Sequence, residues 1–330
     1  MSETASITTR IRVGTRASRL ARLQVKLVRS ALVAARPELD LAGAIEEVLI
    51  RTSGDAVQHR ALSEIGGKGL FAKEIDEALL EGRIDIAVHS MKDLETWLPD
   101  GTAIACVIGR DDPRDAMVLS ETHKGVVDPA RPLNALPEGA VVGTASLRRK
   151  AQLLHHRSDL EVVLFRGNVQ TRLRKLAEGQ ADAAILAFVG LERLGIATVA
   201  AAALAPEVML PAVGQGVVGV TCRADDEARL GLLAAINDEG AMTCVTAERT
   251  MLEILDGSCH TPIGGFAEFT AGRLRLRGLV ARPDGSEVHR ADRSGDASDP
   301  QALGRAVGEE LRQAAGSGFF DGGVIACACS

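Results

Sequence analysis

The 330-residue chain is short of aromatic side chains, with seven Phe, one Trp and no Tyr. So few rings leave no stacking platform for single-stranded nucleic acid. Positive charge is not in surplus either: 38 Lys and Arg stand against 44 Asp and Glu, a net charge of −6. A protein that coats nucleic acid works by neutralising phosphates, so a nucleic-acid partner is excluded on this ground too. No apolar run reaches the ~18 residues of a membrane span, and Met1–Thr9 lacks the basic-then-apolar pattern of a secretion signal. A cytoplasmic protein with no membrane partner is therefore expected. The six cysteines (Cys106, Cys222, Cys244, Cys259, Cys327, Cys329) are scattered and read as reduced thiols, not as a disulfide framework. The remainder, 46% apolar and 25% charged, is ordinary for a globular chain and long enough for two or three domains.

What is present is an internal echo. Val13-Gly14-Thr15-Arg16-Ala17-Ser18 returns as Val142-Gly143-Thr144-Ala145-Ser146, each after an apolar extended stretch and before a leucine- and arginine-rich helical segment. Ser18 and Ser146 are good helix N-caps. A second echo follows in the same order: Glu81-Gly82-Arg83-Ile84-Asp85-Ile86-Ala87-Val88 matches Glu178-Gly179-Gln180-Ala181-Asp182-Ala183-Ala184-Ile185. Each copy ends a helix (70–81; 171–178) at a glycine and enters an apolar strand. Two echoes in register predict two α/β domains of one design, with mostly parallel sheets and a ligand at the carboxyl ends of the strands. The chain is expected to cross between them at Asp112-Pro113-Arg114 and Leu210-Pro211-Ala212. From about Ala241 the pattern changes: a helix over 242–255, a Gly/Pro-rich loop to Gly265, strands at 266–269 and 274–281, and a helix near 300–315. These predict a smaller α+β domain.

Several short motifs carry nothing. Gly214-Gln215-Gly216-Val217-Val218-Gly219 has the letters of a dinucleotide loop, but Pro211 precedes it and a β-branched run follows, where a helix is required. Gly66-Gly67-Lys68-Gly69 lacks the spacing of a P-loop. The adjacent His155-His156 point apart on a helix, and Cys327-Ala328-Cys329 has no partner ligands nearby, so no metal site is expected.

The cations are more informative. Between Gly143 and Lys175 there are eight Lys and Arg (Arg148, Arg149, Lys150, Arg157, Arg166, Arg172, Arg174, Lys175) against two acids. A solvated helix face is the ordinary reading of any one of them. Yet Arg148 and Arg149 lie in the first turn after the Ser146 cap, where the helix end attracts anions, Arg16 lies in the equivalent turn, and Arg166 follows a strand. Guanidinium groups bind carboxylates through two parallel bonds, so the pattern points to a ligand bearing several carboxylates. Lys92-Asp93 sets an ammonium beside a carboxylate beyond the strand 84–88; pattern alone does not separate it from a surface ion pair. Cys259, beside His260 in a loop, is either a nucleophile or a small core residue.

Taken together, the sequence resembles the porphobilinogen deaminase (hydroxymethylbilane synthase) family. The resemblance rests on Gly14-Thr15-Arg16-Ala17-Ser18 with Gln24, Gly66-Gly67-Lys68-Gly69-Leu70-Phe71, Asp85 to Asp93, Arg110 to Ala116, and Gly143 to Arg149. Arg166-Gly167-Asn168 with Thr171-Arg172-Leu173, Leu210 to Gly216, and the Cys259 loop complete it. These segments run in family order over roughly residues 10–320.

The resemblance implies an α/β fold: two lobes like those of a type II periplasmic binding protein around a cleft, plus a smaller C-terminal α+β domain. The expected bounds are 10–112 with 217–236, 113–216, and 237–330. It implies a dipyrromethane cofactor joined by thioether to Cys259, and porphobilinogen as substrate. Four porphobilinogen units are added in turn with loss of ammonia, and the linear tetrapyrrole hydroxymethylbilane is released by hydrolysis. Asp93 matches the catalytic aspartate, set to stabilise the electron-poor azafulvene that loss of ammonia leaves. Arg16, Lys92, Arg148, Arg149, Arg166 and Arg172 match binders of the acetate and propionate groups, with Ser18, Lys68, Thr144 and Ser146 as lesser contacts. A monomer is expected. The sequence departs from the family pattern at Leu94-Glu95, where Val-Pro is common, at Arg19, where proline is frequent, and at Ala145. A non-catalytic two-lobed protein binding a polycarboxylate is the alternative; it explains the repeats and arginines but not Lys92-Asp93 or the Cys259 loop.

Overall fold

A computed structural model of the chain describes residues 10–53, 72–257, 261–316 and 318–319. Lys68, Cys259 and the Cys327-Ala328-Cys329 tail lie outside them. Three sheets organise the described residues. The first contains β1 (Ile11–Arg16), β2 (Ile45–Ile50), β3 (Ile86–Ser90), β4 (Thr102–Arg110) and β10 (Val217–Arg223), in the order β2-β1-β3-β10-β4. The second contains β5 (Asp115–Leu119), β6 (Val141–Thr144), β7 (Glu161–Leu164), β8 (Ala183–Ala187) and β9 (Ala202–Leu204), in the order β7-β6-β8-β5-β9. The third is an antiparallel meander of β11 (Ile263–Thr270), β12 (Arg273–Ala281) and β13 (Val288–Gly295). The fold is thus two α/β lobes of one design with a smaller α+β unit.

The repeats have a physical basis. Arg12 on β1 and Val141 on β6 hold equivalent places. Each backbone N–H donates to a carboxylate one strand away, Arg12 to Asp85 and Val141 to Asp182, both at 2.7 Å. Each carbonyl in turn accepts from that aspartate's own N–H at 2.8 Å. The echoed aspartate therefore sets the register of β3 against β1 and of β8 against β6. Gly14 and Gly143 repeat for a related reason: a Cβ at either would stand 2.3 Å from Ile84 or 2.4 Å from Phe165, side chains of the packed core. Ser18 and Ser146 cap α1 (Arg19–Ala35) and α3 (Leu147–His156) as expected, accepting from Ala21 N and Arg149 N. Between them in sequence lies α2 (Lys73–Leu80), and after α3 come α4 (Val169–Ala177) and α5 (Phe188–Arg193).

The two five-stranded sheets are mostly parallel, as expected, with one reversed strand in each: β10 runs antiparallel to both β3 and β4, and β5 antiparallel to both β8 and β9. Each is the strand that follows a crossing from the other lobe, and it starts at the cleft side, against the direction of the other strands of its sheet. The β9 edge of the second sheet, β13 of the third and the exact ends of most helices also differ from the expectation. Local pattern carries no record of where a returning strand will insert.

After α6 (Glu227–Ala234), α7 (Glu239–Ile254) and α8 (Pro300–Ala315) pack on the third sheet around Met251, Val307 and Leu311. The fully buried Glu248 on α7 joins the units. Its carboxylate accepts two bonds from Arg110 at the end of β4 (2.7 and 2.9 Å), one from Gly214 N in the second crossing and one from Ala267 N on β11 (both 2.7 Å). Removing one partner of such a buried pair leaves the other uncompensated. Glu248→Gln should therefore cost about 3–5 kcal/mol of stability, read as a lower urea midpoint with an unchanged slope.

Candidate active site

The carboxyl ends of the strands in both lobes face a cleft of about 750 Å³. β1 delivers Arg16 and then the Ser18 cap; β3 delivers Ser90, a short 3-10 turn (Met91–Asp93) and with it Lys92 and Asp93. Beyond β6 stand Ser146, Arg148 and Arg149, and beyond β7 stands Arg166, with Arg172 on α4. All of these line the cleft. Thr144 does not: it is buried behind the wall, where its Oγ1 accepts from Ser146 N at 3.2 Å. Of the other four arginines and lysines in the basic stretch, Arg157 is tied to Asp159 and Arg174 to Glu178 outside the cleft.

Arg148 and Arg149 are not on a solvated helix face; they are 4% and 5% exposed. The fully buried Asp115, first residue of β5, holds them both. Its Oδ2 is 2.8 Å from Arg148, and its Oδ1 accepts from Arg149 Nε (3.1 Å) and NH2 (2.8 Å). Burial alone works against the charge on Asp115, but the two guanidinium groups outweigh it and keep the carboxyl well below the usual range. Arg148 also donates to the Leu210 carbonyl (2.6 Å) and Arg149 to that of Ile185 (3.0 Å), which locks both planes. Gln215, from the second crossing, donates to Asp115 (2.9 Å) and to the Pro113 carbonyl (2.6 Å), and its Oε1 lies 3.4 Å from Lys92 Nζ.

Arg172 and Lys92 are held with less compensation. Arg172 is half-buried, donates Nε to the Gly167 carbonyl (2.9 Å), and has no ion-pair carboxylate among the described residues; desolvation pushes it down to about 10, with nearby Arg149 adding to the effect. Lys92 is pushed down to about 8 by burial, against an opposing pull from Asp93. His89, under the same turn, is pushed down to about 4 by burial and is neutral at ordinary pH; its Nε2 meets Thr221 Oγ1 at 3.1 Å. A cleft that desolvates cations around one carboxylate gains energy by taking in carboxylates.

Sequence reasoning missed some of the wall. Arg193, at the end of α5, donates to Asp111 in the first crossing (2.9 Å) and to the Gly216 carbonyl in the second (2.9 Å). No local pattern marks it, because its partners are distant in sequence. Asp115 and Gln215 lie within the segments Arg110 to Ala116 and Leu210 to Gly216, but only the folded chain shows what they hold. Cys259 is outside the described residues; on either side of it, Leu252, Thr261 and Ile263 line the cleft.

Two family models match the chain: "Porphobilinogen deaminase, dipyromethane cofactor binding domain" over residues 11–230, and "Porphobilinogen deaminase, C-terminal domain" over 242–313. The chain belongs to the porphobilinogen deaminase family. A porphobilinogen deaminase of Paracoccus denitrificans (strain Pd 1222) is 53% identical over 311 residues, covering 94% of this chain and 96% of that one. A chloroplastic porphobilinogen deaminase of Oryza sativa subsp. japonica is 48% identical over 314 residues, covering 94% and 86%. That of Nitrobacter hamburgensis is 47% identical over 308 residues, covering 93% and 94%. In this family the dipyrromethane group brings two pyrroles and their acid side chains. The cleft fits it: among the described residues Arg148 Nε is buried with no hydrogen-bond partner and Arg172 has no ion-pair carboxylate.

The depressed Lys92 gives a pH dependence of definite sign. A free lysine stays charged to about pH 10.4, whereas Lys92 loses its proton as pH rises through about 8. Affinity for a pyrrole bearing acetate and propionate groups should therefore fall from pH 7 to 9, and Lys92→Arg should flatten that fall. Titration calorimetry across the range measures it. Arg148→Lys and Arg149→Lys should each weaken the same binding although charge is kept, because lysine cannot replace the planar, doubly bonded group that Asp115 orients.

Proposed function

We propose that this chain is a hydroxymethylbilane synthase that joins four porphobilinogen units with loss of ammonia and releases the linear tetrapyrrole by hydrolysis. The observation that carries this reading is a single cleft in which Asp93 faces a set of desolvated cations from both lobes. When bound, the dipyrromethane supplies the pyrrole carbon onto which the first unit is joined. The chain's own residues do the rest. Arg16, Lys92, Arg148, Arg149, Arg166 and Arg172 hold the acetate and propionate groups, with Ser18, Ser146 and Lys68 as lesser contacts and Thr144 acting through the Ser146 backbone. Asp93 lies beside the pyrrole nitrogen of the incoming unit, stabilises the positive charge that develops as ammonia leaves, and accepts or returns the proton there. Cys259 is the thioether anchor. Buried Cys106, Cys222 and Cys244 are poor competitors, since burial pushes their thiols up to about 12, 11 and 11.

We assign residues 10–112 with 217–236 to the lobe bearing Asp93, 113–216 to the arginine-rich lobe, and 237–330 to the domain of the anchor. The unit acts as a cytoplasmic monomer; no described helix is long and apolar enough to cross a membrane. Asp93→Asn should keep the fold and lower kcat by ~10²–10³, the usual cost of one fixed electrostatic group; turnover within a few-fold of the parent would move the role elsewhere. Intact mass should exceed the sequence mass by two linked pyrrole units, and digestion should put the excess on the Cys259 peptide. Cys259→Ala should lose both the mass and the activity, and a Cys327/Cys329 double serine variant should keep both.

A further inference from the structure

The segment just beyond the Asp93 turn is joined to α7 and the residues that follow it by three hydrogen bonds. The buried Thr96 hydroxyl, three residues beyond Asp93, donates to the Gly257 carbonyl at 2.7 Å. From α7, the buried Arg249 donates to the carbonyls of Glu95 (2.9 Å) and Thr96 (2.8 Å). Gly257 is itself fixed: its N–H donates to Leu252 O (3.0 Å), and a Cβ there would stand 2.4 Å from Ile263 and 2.6 Å from Leu252. Two residues further on is Cys259.

We propose that Thr96 and Arg249 are positioning residues that clasp the Asp93 turn to the stem of the segment bearing Cys259. The proposal rests on Cys259 being the cofactor anchor. A guanidinium buried on backbone carbonyls is a costly way to fill space, and an apolar side chain of similar size would pack there at less cost. What the guanidinium does that an apolar group cannot is hold two successive carbonyls in fixed directions. Arg249 also lines the cleft, so the clasp lies at the reaction space and not in a remote interface. Asp93 follows β3 of the first sheet, Cys259 lies in sequence between α7 and β11, and the Thr96–Gly257 bond links backbone a few residues in sequence from each of them. Reacting groups must meet at about 3–3.5 Å, and a misplacement of 1 Å costs roughly 100-fold. A link of this kind is what keeps the two in register.

Thr96→Val keeps the shape and removes the donor; Thr96→Ser keeps the donor. Assayed well below its melting temperature, where the protein is fully folded by circular dichroism, Thr96→Val should lose roughly 10–100-fold in kcat with little change in KM. The rate at which protein made without porphobilinogen acquires the two-pyrrole mass should fall in step. Thr96→Ser should restore both. A melting temperature that drops while kcat and the loading rate stay at parental values would overturn the clasp, as would Ser and Val variants that are equally impaired. Should Thr96→Val not fold, Arg249→Gln serves the same comparison, and normal kcat and loading in it overturn the proposal. Failure of the underlying reading looks different: parent protein with no pyrrole mass on the Cys259 peptide removes the anchor, and the clasp with it.

Discussion

Two adjacent guanidinium groups cannot share a protein interior unless an anion stands between them, and Asp115 is that anion. Desolvating either arginine alone costs several kcal/mol. With Asp115 bonded to both, and the Leu210 and Ile185 carbonyls taking further N–H groups, the cost is offset and each plane has one orientation. The carboxylate lowers the net positive charge of the cleft, yet it makes the charge that remains usable, because the arginines need not reorganise when a ligand arrives. Asp115 is also the first strand residue after the chain crosses between lobes, so the organiser of the anion site and the join between lobes are one feature.

That coincidence extends along both crossings. Asp111 N donates to Gly216 O, Arg193 reaches both segments, and Gln215 ties Pro113 and Asp115 together near Lys92. Glu248 then binds the second crossing to β4 and β11, so the third unit is anchored where the first two meet. The cleft is thereby built from three separate cores with shared polar fastenings at one place. Chemistry that must hold a growing polycarboxylate beside one carboxylate needs walls that come from different bodies and a base that does not shift.

Much of this is legible in the residues alone. The echoes around Gly14 and Gly143, and around Asp85 and Asp182, are readable because each copy meets a local demand. At the glycines it is a close approach that excludes Cβ; at the aspartates it is a carboxylate pairing with a strand N–H. The arginine pair after the Ser146 cap is readable as an anion site from helix-end physics. Its burial is not, since a helix pattern shows which residues share a face but not what packs on it. The antiparallel β5 and β10 are hidden for a related reason: strand direction depends on the route of entry into a sheet, and that is not a local property.

The amino-acid sequence by itself determined the two-lobed plan, the family, and the kinds of side chain at the site, because these depend on residue type and short spacing. The tertiary structure alone decided that Thr144 stands behind the wall while Arg193 and Arg249 stand on it, and that Asp115 is the counter-ion of Arg148 and Arg149. It alone decided that Lys92 is depressed to about 8. These properties arise from contacts between residues scores of positions apart and from the exclusion of water, and both come into being only when the chain has closed on itself.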